Sequence, residues 1–126
     1  MAAIDAVIKL LSPGDEVIST NDLYGGSYRI FTKIFEDFGI GFHFVDMQDP
    51  ANVAAKINAK TKLIWVETPT NPMMNVVDIE AMHKLVADKD ILLAVDNTFA
   101  SPYLQQPLSM GADIVMHSAT KYLGGH

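Results

Sequence analysis

Ile91-Leu92-Leu93-Ala94-Val95-Asp96-Asn97-Thr98 passes from five unbroken apolar residues straight into an acid, an amide and a hydroxyl. An apolar run with no polar alternation is what a strand needs when both faces of its sheet are covered, and such sheets are mostly parallel. Leu63-Ile64-Trp65-Val66 and Ile114-Val115-Met116 have the same character. Glu16-Val17-Ile18-Ser19 and Phe42 to Val45 read as two further strands, which puts strand centres near residues 18, 44, 64, 93 and 115. That spacing is the rhythm of βαβ units.

The intervening segments read as helices. Ile4, Val7, Ile8 and Leu11 repeat at i, i+3, i+4 and i+7, and Ser12-Pro13-Gly14-Asp15 breaks the pattern. Phe31, Ile34, Phe35 and Phe38 form a second stripe, expected to face the core and to end at Gly39. Asp49-Pro50 is an N-cap followed by a first-turn proline, with Val53 and Ile57 continuing that helix. Asp78 to Asp88 carries Ile79, Met82, His83 and Val86 on one face, which makes His83 a packed core histidine; the seven methionines read as core filler. The fold class is therefore α/β, a mostly parallel sheet covered by helices on both faces, with no linker and no second domain.

Composition narrows the function. At 126 residues the chain suits one domain, and its 49% hydrophobic content excludes intrinsic disorder. Fifteen Asp+Glu against nine Lys+Arg give a net charge of −6 with no basic run, which argues against nucleic acid as a partner. The absence of cysteine excludes disulfides, thiolate zinc sites and thiol nucleophiles, and is compatible with a cytoplasmic origin. Asp5 and Lys9 interrupt the apolar start, so it is not a signal-peptide core, and no run approaches the roughly 20 apolar residues of a membrane span. The chain opens in mid-helix without a cap and stops just past the last strand, as a piece of a larger domain is expected to do.

In open parallel sheets ligands bind outside the carboxyl ends of the strands. Three strand ends deliver chemistry there: Glu67-Thr68-Pro69-Thr70-Asn71-Pro72, Asp96-Asn97-Thr98, and His117-Ser118-Ala119-Thr120-Lys121. A lysine and a carboxylate in one apolar crevice form either a structural ion pair or a desolvated amine ready to condense with an aldehyde; the pattern alone leaves both open. Two X-Pro steps in four residues stiffen the Thr68–Pro72 turn, and at least one is expected to be cis. Other motifs lead nowhere. Ser118-x-x-Lys121 lacks the Ser-Asp-Asn and Lys-Thr-Gly partners of penicillin-binding enzymes. Gly39-x-Gly41 is followed by Phe44 where a dinucleotide fingerprint needs glycine. His43 and His117 have no partners at ligand spacing, so no metal is expected.

Ser118-Ala119-Thr120-Lys121-Tyr122-Leu123-Gly124-Gly125-His126 closely resembles the Schiff-base lysine signature of the Cys/Met-metabolism (trans-sulfuration) family of pyridoxal-phosphate enzymes. Asp22-Leu23-Tyr24-Gly25-Gly26, Glu67-Thr68-Pro69-Thr70-Asn71-Pro72 and Val95-Asp96-Asn97-Thr98-Phe99 match other blocks of that family in the same order. The resemblance implies the central part of the large, pyridoxal 5'-phosphate-binding domain of a fold-type I enzyme across residues 1–126, without the N-terminal arm and the C-terminal domain. It also implies roles. Lys121 would carry the cofactor and move protons, and Asp96 would pair with the pyridine nitrogen. Ser118 and Thr120 would donate to the phosphate, and Asn71 to the ring's 3-oxygen. Tyr24 would stack on the ring and serve as an acid/base. Thr98 would support the cofactor's far face, Arg29 would lie near the substrate entrance, and Met1 would match the methionine of a phosphate-binding Ser-Gly-Met turn whose Ser and Gly are absent here.

The reaction so implied is elimination or replacement at the β- or γ-carbon of a small amino acid. The expected version is cystathionine γ-synthase chemistry, in which cysteine replaces the acyl group of an activated homoserine. Cystathionine γ-lyase or methionine γ-lyase elimination is the alternative, and a non-enzymatic cofactor-binding module a further one. The family's assembly implies a homotetramer built from dimers, with these 126 residues alone catalytically silent.

Overall fold

A computed structural model describes residues 1–125; His126, the last residue of the lysine signature, lies outside the described residues. Five parallel strands form one sheet: β1 (Glu16–Thr20), β2 (Gly41–Val45), β3 (Thr61–Glu67), β4 (Leu92–Asp96) and β5 (Ile114–Met116), in the order β2-β1-β3-β4-β5. Helix α1 (Ala2–Ile8) precedes β1, α2 (Gly25–Ile30) joins β1 to β2, α3 (Pro50–Ala54) precedes β3, α4 (Ile79–Val86) joins β3 to β4, and α5 (Ser101–Leu104) with a 3-10 turn (Pro107–Met110) leads to β5. The expected fold class is the observed one. The short α5 and the 3-10 turn had no periodic signal to announce them.

Alternate residues of each central strand feed two cores. Val17, Leu63, Trp65 and Ala94 pack with α1 and α2 on one face, through Ile4, Val7, Ile8, Ile30 and Phe31. Ile18, Ile64, Val66, Leu93 and Val95 pack with α3 and α4 on the other, through Val53, Ile79, Met82 and Val86. The unbroken apolar runs exist because both alternating sets must be buried. Caps fix the helix starts as read: Asp49 Oδ1 accepts the Ala51 N–H at 2.9 Å, and Asp78 Oδ1 the Ala81 N–H at 2.9 Å.

Four packing expectations need correction. The Phe31–Phe38 stripe is only half core: Phe31 and Phe35 are buried, while Ile34 and Phe38 are exposed. The reason is a π-helical turn over Phe31–Phe35, where the Glu36 N–H reaches Phe31 rather than Thr32. The wider turn rotates Ile34 off the stripe. His83 is half-buried, lying against Gly111, where a Cβ would come 2.3 Å from its ring. Met47 and Met82 are core, but Met1, Met73 and Met74 are exposed on the chain's start and a loop. Strand β5 is only half-buried, since it has a single neighbour, β4, among the described strands. No helix of the described residues is long and apolar enough to cross a membrane.

Candidate active site

In the strand order, β1 is flanked by β2 on one side and β3 on the other, so the chain reverses its direction of progress between β1 and β3. A cleft of about 450 Å³ opens at the carboxyl ends from that point across β3, β4 and β5. Tyr24, Asn71, Asp96, Thr98, Ser118, Thr120, Lys121 and Met1 all line it. Arg29 does not. It occupies the exposed last turn of α2.

Asp96 ends β4 and is 5% exposed. Burial raises its carboxyl above the usual range, and hydrogen bonds from Thr98 pull it back. The Thr98 hydroxyl and the Thr98 N–H both donate to Asp96 Oδ1, and the same hydroxyl accepts the Ser118 N–H at 2.9 Å. The Thr98 hydroxyl aims Asp96 and ties the end of β4 to the segment after β5. Two residues on, the Ser118 and Thr120 hydroxyls lie 2.9 Å apart. Alternate spacing puts both on one side of the turn, a pair of donors for an anion.

A second network seats the loops. Asn97 Nδ2 donates to the Gln105 carbonyl at 2.9 Å and to His117 Nε2 at 3.1 Å, while Gln105 Nε2 donates to Asn97 Oδ1 at 2.8 Å and to the Thr68 carbonyl at 3.2 Å. Ends of β3, β4 and β5 are thereby pinned together. Asp22 Oδ2 accepts from the Thr70 hydroxyl and from the Met73 N–H at 3.0 Å, holding the Asn71 turn against the loop that carries Tyr24. Both Thr68-Pro69 and Asn71-Pro72 are cis. Gly26 gives the Tyr24 ring room: a Cβ there would stand 2.3 Å from Tyr24 Cε1.

Glu67 is the residue whose place in the cleft the sequence reading left without a role. It ends β3, is 4% exposed, and its Oε2 accepts the Tyr24 N–H at 2.8 Å. Burial pushes its carboxyl up to about 7. The signal was available, because Glu67 follows an apolar run directly, just as Asp96 does. Gln105 had none, since its partners come from other loops.

Lys121 departs from expectation in one respect. It is exposed, on a turn after the edge strand, and not sealed in a dry crevice. Among the described residues no ion pair joins it to Asp96, so the structural ion pair that the pattern left open is not formed. Among the described residues no group of three or more His, Cys, Asp or Glu could hold a metal ion.

The sequence profile of a family described as Cys/Met metabolism PLP-dependent enzyme matches residues 1–126. The chain belongs to this family. Its relatives include, from Bacillus subtilis, a cystathionine gamma-synthase/O-acetylhomoserine (thiol)-lyase at 51% identity and a cystathionine gamma-lyase at 52%, each aligned over all of this chain and over 34% and 33% of the relative. The crystal structure of cystathionine gamma-lyase from Lactobacillus plantarum, complexed with L-serine, superposes with a TM-score of 0.97 at 51% identity, covering 99% of this chain and 33% of that one. The chain thus spans about a third of the length of the relatives it matches. Membership of this family implies pyridoxal phosphate, and the cleft's donor set fits it. A buried carboxylate aimed from β4 suits a ring nitrogen, two adjacent hydroxyls suit a phosphate, and an amine without a carboxylate partner on Asp96 suits an aldehyde.

Proposed function

We propose that the protein containing this chain is a trans-sulfuration enzyme of γ-replacement type, cystathionine γ-synthase, acting on an acyl-homoserine and cysteine. The observation that supports it is the convergence of Asp96, Ser118, Thr120, Asn71, Tyr24 and Lys121 on one cleft. When bound, pyridoxal phosphate supplies an electron sink for charge that develops at the substrate's α-carbon. The chain's own residues do the rest. Asp96, aimed by Thr98, would hold a proton on the ring nitrogen. The Ser118 and Thr120 hydroxyls would donate to the phosphate, and the Asn71 amide to the ring's 3-oxygen. Tyr24 would cover the ring and exchange a proton with the γ-leaving group. Lys121 Nζ would hold the cofactor through its aldehyde and serve as the base for the substrate's α-proton. Met1 borders the cleft at the start of α1.

Cystathionine γ-lyase is the second reading, favoured by a γ-lyase relative at 52% identity against 51% for the synthase relative. The assembly that goes with either reading is a homotetramer, and the exposed Tyr103, Leu104 and Leu108 around α5 give it apolar surface to bury. Borohydride reduction of the full-length protein with pyridoxal phosphate, followed by peptide mapping, should label Lys121; a label elsewhere, or none, overturns the reading. Product assays with acyl-homoserine plus cysteine, against cystathionine alone, separate synthase from lyase.

A further inference from the structure

Glu67 has no task in the chemistry above, yet it occupies the cleft floor. It is the register partner of Asp96 across β3 and β4, so the two carboxyls emerge side by side on one face of the sheet. Two neighbouring carboxylates in a buried site do not both ionise without cost. Asp96 Oδ1 receives the hydroxyl and the N–H of Thr98. Glu67 receives main-chain amides: the Tyr24 N–H on Oε2, at the point where the chain enters α2, and that of Asn71. We propose that Glu67 is a positioning residue, whose carboxyl clamps the Tyr24 main chain so that the Tyr24 ring covers the cleft. Burial, the Asp96 charge and Asp22 all push Glu67 towards its neutral form, with the Tyr24 and Asn71 backbone amides opposing.

The inference rests on the function proposed above, and its test separates the two. In the pyridoxal-phosphate-loaded holoenzyme, the visible band and its circular dichroism report on the aromatic ring stacked against the cofactor. E67A should weaken cofactor binding about tenfold, as loss of one buried hydrogen bond does, and should diminish the dichroism. E67Q keeps the acceptor and the neutral charge, and should restore both. In a Y24A background E67A should add little, because its effect passes through Tyr24. Full additivity of E67A and Y24A, or E67Q falling as far as E67A, overturns the proposal. A wild-type protein with no visible band at all overturns the proposed function, and this inference with it.

Discussion

The Thr98 hydroxyl bridges Asp96 and Ser118: it donates to the carboxylate that ends β4 and accepts the backbone N–H that follows β5. One side chain thereby sets the spacing between the acid expected at the ring nitrogen and the hydroxyls expected at the phosphate. T98V keeps the shape and removes the bridge, stranding a part-buried N–H. It should cost about 1–2 kcal/mol of stability and weaken cofactor binding about tenfold, with T98S close to wild type. Urea unfolding and a cofactor titration check both.

Glu67 makes stability fall with rising pH. Its carboxyl is raised from 4.5 to about 7, so between these values the folded chain keeps a proton that the unfolded chain has released. The Glu67 contribution to stability is then greatest below pH 4.5 and declines until about pH 7. At about 1.4 kcal/mol per pH unit the loss is about 3 kcal/mol. Asp96 is raised by burial too and adds to the same trend. E67Q cannot titrate, so the wild-type-minus-E67Q difference in unfolding free energy, followed across this window, should show the Glu67 slope alone.

Gly26 separates stability from ring placement. Alanine is favoured over glycine in a helix by about 1 kcal/mol, so G26A should not destabilise α2. The added methyl would stand 2.3 Å from Tyr24 Cε1 and must push the ring aside. The expected result is an unchanged or higher melting temperature together with altered cofactor dichroism.

Trp65 is fully buried on β3, edge-on to Phe31 at 5.6 Å, and its Nε1–H has no acceptor among the described residues. W65F discards that unpaired donor while leaving a small void, and the two effects offset to within about 1–2 kcal/mol. W65A should lose about 3–5 kcal/mol. Chemical denaturation of the two variants distinguishes them.

Much of this architecture was legible because parallel strands must be apolar on both sides. Ile91–Val95 and Leu63–Val66 could not have been anything else, and the acid after each run had to sit at a cleft. The cap at Asp49 was equally plain. What escaped depended on contacts between distant segments. The π-turn at Phe31–Phe35, which exposes Ile34 and Phe38, leaves no mark in the spacing of apolar residues. His83 lies against Gly111, a contact that its own helical spacing does not show. The bridge made by the Thr98 hydroxyl was not legible either, since its acceptor function meets a backbone N–H twenty residues later. Lys121 was expected to be dry, which a sequence-local reading could not test, since dryness depends on what lies on the far side of β5.

Strand β5 has β4 on one flank alone among the described strands, and the lysine turn hangs from it. In this chain the sheet is therefore a ladder whose last rung is held by one rail. Deuterium should enter the amides of Val115 to Lys121 through brief local openings, while those of Ile64 to Val66 wait for the whole chain to come apart. The turn that carries Lys121 is thus among the readily loosened parts of the scaffold, and a cofactor held by Lys121 and Asp96 would slow that exchange by acting as a brace.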